Sequence, residues 1–427
     1  MLKRMKPVQM IILGFLSIIF IGSILLVLPI THSDNITLSY IDAMFTSVSA
    51  VCVTGLVVVD TSVTFNAFGK IVIAILIQIG GLGVVCMGES LALFFGRHIG
   101  IYQRQLIKES WNVNSYQGLI SLVKMVLRIT FVIEGIGALL SLVVFIQDYS
   151  LIEAIGISIF HAIAAFNNAG FDIIGSSSLI QYQNNIYLNI VTAIMIILGG
   201  IGFMVMLDAY RKKDFHHLSL QSKAVITTTT VLIFGGMILL KCSENISWIG
   251  AFFQSVTART AGFATYNLGD FSNAGLMIMM VLMFIGASSG STGGGLKTNT
   301  IFVVMCEIKS TILHTHCTAF KREINKLIIQ HAFVLLGISL GVVLLCTYFV
   351  SLFNPELTMS QVLFESVSAF STTGLSTGIT SLLSSGSKIV LMMTMFSGRV
   401  GAWSILTIGG RKEFSEVHYS QEDIMIG

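Results

Sequence analysis

The chain is short of charge. Of its 427 residues, 11% are Asp, Glu, Lys or Arg and 54% are apolar, whereas about a quarter of a typical soluble domain is charged. That shortage excludes a water-soluble surface over most of the chain, and the mean hydropathy of +0.86 suits a bilayer as solvent. Only 3 prolines occur, against 40 glycines; glycine lets transmembrane helices and buried backbone approach closely. The six cysteines (Cys52, Cys86, Cys242, Cys306, Cys317 and Cys346) form no CxxC pair, so a zinc site or disulfide framework has no basis and free thiols are expected. Lys and Arg are nowhere interleaved with aromatics and the net charge is +3, which gives no support to nucleic-acid binding. There is no HExxH, no GxSxG in a strand–turn–helix context, and the nine His are scattered, so no enzyme is expected.

Long apolar runs are plentiful. Residues 8–28 hold no charge and no small-residue cleavage site, so this run is read as a retained helix rather than a signal peptide. Its length suits a bilayer, because about 20 helical residues cross about 30 Å. Further runs cover roughly 71–95, 126–146, 186–209, 224–240, 274–305, 327–353 and 389–408, which predicts eight spanning helices in one membrane domain over 1–427. Eighteen of the 24 basic residues fall on one side: Lys3, Arg4, Lys6, Arg97, Arg104, Lys108, Lys124, Arg128, Arg211, Lys212, Lys213, Lys223, Lys309, Lys321, Arg322, Lys326, Arg411 and Lys412. Lys70, Lys241 and Lys388 oppose them. The bias predicts both termini in the cytoplasm.

The segments between paired helices resemble one another. They read Phe45-TSVSAVCVT-Gly55, Phe160-HAIAAFNNA-Gly170, Phe252-FQSVTARTA-Gly262 and Phe364-ESVSAFSTT-Gly374, with Phe ten positions before Gly each time. A second glycine-containing cluster follows 24 to 29 residues later, starting at Gly80, Gly199, Gly286 and Gly398. Two features recurring four times in order mark an internal repeat. Repeat 1 covers about 1–98, repeat 2 about 115–212, repeat 3 about 220–310 and repeat 4 about 324–412, with 413–427 as a C-terminal tail. The fold class expected is all-α integral membrane: four tandem helix–re-entrant loop–helix units around a pseudo-fourfold pore. Irregular backbone at membrane depth is tolerated only where protein buries it or where it lines a water-filled cavity.

A dehydrated cation needs oxygens in place of water, and a ring of backbone carbonyls supplies them without net charge in the path. Glycine adopts the backbone angles this requires at little steric cost. Gly55, Gly170, Gly262 and Gly374 are the candidate ring, with Val53 and Thr54, Asn168 and Ala169, Thr260 and Ala261, and Thr372 and Thr373 offering further carbonyls. A lone glycine here would be explained by tight helix packing; four in register are not.

These segments, SAVCVTGLVVVD (49–60), HAIAAFNNAGF (161–171), QSVTARTAGF (254–263) and ESVSAFSTTGL (365–375), resemble the Trk/Ktr/HKT superfamily of potassium transporters, most closely the membrane subunits of Ktr systems. The match spans essentially the whole chain. It implies potassium-selective uptake across the cell membrane through those carbonyls, and Gly55 is Gly where some sodium-preferring plant relatives carry Ser. It also implies a homodimer in the lipid bilayer with the C-terminal tail at the interface, dependence on sodium, and a separate cytoplasmic ring of RCK type that holds the regulatory nucleotide. The tail HYSQEDIMIG departs from the usual pattern but keeps Gly427. A sodium-coupled secondary transporter, or a sodium-permeable member of the superfamily, is the alternative.

From Gly286 to Gly295, five glycines and four Ser or Thr occupy ten positions, and each helical Gly costs about 1 kcal/mol relative to Ala. The sixth span is therefore expected to break. Gly290, Gly295, Lys297 and Thr298 hint at a Walker A motif, but Leu296 spoils the spacing and the context is a membrane helix. The resemblance implies an intramembrane gate over 286–298, through Gly286, Ser288, Ser289, Gly290, Ser291, Thr292, Gly293, Gly294, Gly295 and Lys297. It further implies that Arg399 lies beneath the filter as an electrostatic barrier. Arg259 is expected to brace its loop through backbone carbonyls, and His161 to be structural. Glu89 and Asp208 are expected at water-accessible helix ends, and Asp42 near an entering cation.

Overall fold

The computed structural model describes residues 7–33, 36–94, 100–110, 119–175 and 178–401, together with residue 422. The expected tail apart from residue 422, the N-terminal basic residues, Arg97, Arg411 and Lys412 lie outside the described residues.

The first unit opens with a long apolar helix, α1 (Pro7–Val27). A short helix α2 (Tyr40–Val51) dips inward, and after one turn, α3 (Thr61–Thr64), the chain returns through α4 (Ala67–Leu82) and α5 (Val84–Phe94). Helix α6 (Ile101–Ser110) leads to the second unit, α7 (Leu119–Phe145), α8 (Leu151–Phe166), α9 (Ile186–Ile201) and α10 (Phe203–Lys212). The third unit is α11 (Leu220–Ser243), α12 (Trp248–Thr257), α13 (Asn273–Phe284) and α14 (Thr298–Ile312). A small antiparallel hairpin, β1 (Thr318–Ala319) with β2 (Arg322–Glu323), joins it to the fourth, α15 (Lys326–Phe353), α16 (Met359–Ser371) and α17 (Ser385–Val400).

The starts of these helices are written locally. Ser39, Ser150, Ser247 and Thr358 stand at the N-caps of the short helices, and Ser150 and Thr358 form capping boxes with Glu153 and Gln361. Asn66, Asn185, Ser272 and Ser384 accept from the first turns of the returning helices. Each such cap satisfies one of the free N–H groups at a helix start, worth about 1 kcal/mol. The short helices hold 12, 16, 10 and 13 residues, too few to cross the hydrocarbon. They begin before the motif Phe, which lies inside each helix rather than at its start.

Among the described residues four helices, α1, α7, α11 and α15, are long and apolar enough to cross a membrane. The returning helices depart from the uninterrupted spans expected. Helices α4 and α5 meet at 102° and α9 and α10 at 97°, so the total rises to six if each bent pair is one span. Gly83, Gly202 and Gly401 carry φ of 86°, 94° and 92° at the ends of α4, α9 and α17, a region where a Cβ is strained. In the third unit the break widens to the segment between Phe284 and Thr298. Every returning helix therefore stops at a break, where only the third was expected to.

Side-chain distribution is that of a membrane protein. Leu16, Phe20, Leu139, Leu344 and Met393 face outward, while Gln254, Asn167, Asn168, Thr257 and Ser368 are buried. The returning helix of each unit packs on the short helix of the next: α4 on α8, α9 on α12, α13 on α16, and α17 back on α2. The four units thus close a ring in chain order. Lys388 of α17 meets Asp42 of α2 at 2.7 Å across the final seam.

Candidate functional site

The four motif glycines meet at the centre of the ring. A Cβ added to Gly55 would collide with the carbonyl oxygen of Ala169, one on Gly262 with that of Thr373, and one on Gly374 with that of Thr54. On Gly170 it would lie 2.7 Å from the carbonyl oxygen of Ala261. Each glycine therefore abuts the residue that precedes the next unit's glycine, around the full circle. The backbone approach, more than tight helix packing, is what forbids a side chain here.

The turn leading into each glycine is also shared. Val53, Asn168, Thr260 and Thr372 have φ of 58°, 57°, 69° and 51°, and Gly55, Gly170, Gly262 and Gly374 have 87°, 65°, 85° and 89°. The residue between them lies outside this left-handed region. Such alternation of hand turns successive carbonyls to one side, as a cation-lining segment needs. For non-glycine residues, three of them β-branched, it stores roughly 1–3 kcal/mol each. The sequence held no sign of this, because the four residues share no side-chain type.

Hydrogen bonds behind the turn hold its N–H groups away from the centre. Thr54 N, Ala169 N and Thr373 N donate to the carbonyls of Ser49, Ala164 and Ser368 at 2.7, 2.8 and 2.9 Å. Gly55 N donates to Ser49 Oγ at 3.0 Å and Gly374 N to Ser368 Oγ at 3.1 Å. The short helices end three to five residues before the glycines, so four helix C-termini, each with partial negative charge, converge on the ring.

The second glycine cluster has a distinct task. A Cβ on Gly80, Gly199 or Gly398 would overlap the carbonyl oxygen of Val51, Phe166 or Phe370, each four residues before its ring glycine. These glycines let the returning helix lie against the end of the short helix. Gly286 breaks the expected alignment: its neighbour is the Gly294 carbonyl, and Arg259 Nη2 donates to the Gly286 carbonyl at 3.4 Å.

Residues 286–297 form a folded loop directly beneath the turns. Its ends are tied, with Gly286 N donating to the Leu296 carbonyl at 2.8 Å. Ser288 N and Thr292 N donate to the carbonyls of Gly200 and Gly199 at 3.0 and 3.3 Å, and Gly290 accepts from Phe203 N at 3.1 Å. Ser288 Oγ bonds the Ile201 carbonyl and Ser291 Oγ the Ser288 carbonyl at 2.7 Å. Gly293 sits against Thr260 and Gly294 against Thr372, with no room for a Cβ, and Gly295 N reaches the Gly398 carbonyl at 3.3 Å. Lys297 Nζ donates to the Gly293 carbonyl at 2.7 Å. Arg399 reaches across the same level. Its guanidinium bonds the carbonyls of Thr292 and Gly80, and that of Gly81 at 3.1 Å. The loop and Arg399 together touch backbone from all four units.

On the opposite face the ring opens into a cavity of about 370 Å³. All four ring glycines line it, together with Asp60 and Asp172. These two carboxylates went unnoticed in the sequence, where they stand as the acidic residues next after the ring glycines of the first two motifs. Asp42 does not line the cavity; it is engaged with Lys388. Glu89, expected at a wet helix end, is buried, whereas Asp208 is partly exposed and bonded to Lys212, Ser219 and Ser222. His161 bonds Thr192 Oγ1 at 2.9 Å and packs edge-on against Phe145 and Phe263, a structural role.

The family model described as "TrkH: Cation transport protein" matches residues 2–240 and 218–413. The chain belongs to this family. Transport rather than catalysis is what the TrkH family does, in keeping with the missing catalytic motifs. "Potassium/sodium uptake protein NtpJ" of Enterococcus hirae is 36% identical over 100% of this chain and 98% of its own length. "Ktr system potassium uptake protein B" of Bacillus subtilis is 35% identical over 99% and 97%. The solved potassium transporter TrkH of Vibrio parahaemolyticus shares the fold, with a TM-score of 0.71 over 93% of this chain and 84% of that one, at 18% identity.

Proposed function

We propose that this chain is the pore-forming subunit of a potassium uptake system in the cell membrane. The observation that carries the reading is the closed circle in which each ring glycine abuts the carbonyl preceding the next. A potassium ion enters the cavity beside Asp60 and Asp172 and sheds water. It is then coordinated by the carbonyls of Val53, Thr54 and Gly55 and of their counterparts in the other units. The C-termini of α2, α8, α12 and α16 favour the charge, each by about 0.5 kcal/mol. The loop 286–297 closes the path below, and Arg399 adds a fixed positive charge at that level.

Relatives bear Ktr and potassium-uptake names, which supports the same cargo here and a partner subunit. A cytoplasmic RCK-type ring with its nucleotide, a homodimer, sodium dependence, eight crossings and both termini in the cytoplasm complete this reading. The sodium-permeable alternative is favoured by one observation, the words "potassium/sodium" in the Enterococcus hirae relative's name.

Rubidium uptake into liposomes carrying the purified chain tests both, with potassium, sodium or caesium as competitor. Potassium is expected to compete best, and Gly55→Ser to lower its advantage over sodium. Equal competition by sodium in the wild type would overturn the potassium reading in favour of the second.

A further inference from the structure

A buried carboxylate stands behind the second unit's loop. Glu134 lies midway along α7, 6% exposed. Asn167 Nδ2 donates to Glu134 Oε1 at 2.9 Å and to Gln78 Oε1 at 2.9 Å, and also lies 2.9 Å from the Ile163 carbonyl. Gln78 Nε2 donates to Glu134 Oε2 at 3.3 Å. The three side chains come from α4 of the first unit, α7 of the second, and the residue that caps α8. Gln78 and Asn167 are buried as well. On the other side of Asn167 the backbone of Gly81 is so close that a Cβ there would overlap its Oδ1.

The donors and acceptors are directional. Glu134 receives an amide proton at each oxygen, and Gln78 both gives and receives one. That pattern fits Glu134 as an acceptor at both oxygens. A carboxyl at membrane depth is costly and is retained where it has a task. The position shows the task. Asn167 immediately precedes Asn168, whose φ of 57° starts the left-handed turn into Gly170. Fixing the Asn167 side chain fixes the entry to that turn, and with it the aim of the Asn168 and Ala169 carbonyls.

We propose that Glu134 is a positioning residue for ion selection: through Asn167 and Gln78 it sets the geometry of the second unit's carbonyls without touching the ion. This rests on the reading of the glycine ring as the filter. The test is rubidium uptake by the full chain in liposomes, read as the ratio of sodium to potassium needed for half inhibition. E134Q points an amide at the Gln78 amide, so the ratio should fall about tenfold, the size expected for leaving a buried donor unsatisfied. E134Q/Q78E moves the carboxylate to the neighbouring position and lets every donor face an acceptor again. It should return the ratio to within about twofold of wild type, the mark of a coupled pair rather than a general loss of fold. If chains carrying Q78E do not fold, E134D, which keeps an acceptor at both oxygens, takes its place and should stay closer to wild type than E134Q.

A wild-type ratio in E134Q, or a rescue variant no better than E134Q alone, would overturn the proposal. Gly55→Ser measured alongside separates the two claims. If it lowers the ratio while E134Q does not, only the positioning role fails. If neither lowers it, the filter reading fails first.

Discussion

The loops of units one and four and those of units two and three reach the same backbone turn by different supports. In units one and four a serine hydroxyl, Ser49 or Ser368, receives the N–H of the ring glycine. Units two and three have Ala164 and Val256 at that place. Their support comes from the residue three before the glycine instead: Asn167 is tied to Glu134 and Gln78, and Arg259 to the Gly286 carbonyl. The contrast teaches that the backbone path is the shared requirement. Side chains that hold it are free to differ, provided that each unit has some bond opposing the strain of its left-handed residue.

The largest effect should ignore the contrast altogether. Gly55→Ala and Gly262→Ala each place a Cβ against a neighbouring carbonyl at positive φ, and both should cut rubidium uptake by about a hundredfold. A tolerated alanine in only one of the two pairs of units would break the idea of a common backbone requirement.

Deleting Ser291 to Gly294 removes the part of the loop that sits beneath Thr260 and Thr372. Potassium flux in proteoliposomes should rise several-fold if this segment obstructs the path, since small buried rearrangements of about 1.4 kcal/mol already change a population tenfold. Unchanged or lower flux with intact protein would remove the gating role.

The contrast itself is sharpened by Ser49→Ala and Ser368→Ala. Each loses one hydrogen bond of about 1 kcal/mol and should lower the sodium-to-potassium half-inhibition ratio about fivefold. Ala164→Ser should leave it unaltered, because the second unit is held at Asn167. Equal effects of all three in the same competition assay would erase the distinction between units.

The smallest effect is expected at the seam. Lys388→Met should lower the melting temperature in detergent by an amount equivalent to about 1 kcal/mol, since the pair retains some contact with solvent. The ion ratio should stay at the wild-type value. A changed ratio would mean that the seam, like the loops, shapes the ring.

Much of this architecture was legible in the sequence because backbone requirements leave glycine behind. The four ring glycines, the tandem order and the break after Phe284 could all be read from residue type and spacing. The bends at Gly83 and Gly202 were hidden inside runs that stay apolar on both sides, so hydropathy alone joined them into straight spans. The left-handed turns at Val53, Asn168, Thr260 and Thr372 left no trace, since tertiary bonds rather than propensity impose them. Gly286 aligned by spacing with Gly80, Gly199 and Gly398, but its loop has replaced the helix-to-helix contact those glycines serve. Asp60 and Asp172 were passed over because a carboxylate beyond a motif looks like any polar loop residue until the cavity places it.

The contact between α17 and α2 has a consequence for biosynthesis. The units run round the pore once in the order of translation, and the Asp42–Lys388 pair joins the first short helix to the last returning one. A nascent chain that has inserted three units holds an open-sided groove facing lipid, with no enclosed aqueous route. Only when the final helix emerges does the wall become continuous. The order of synthesis itself therefore delays closure of the ring until the last unit is made.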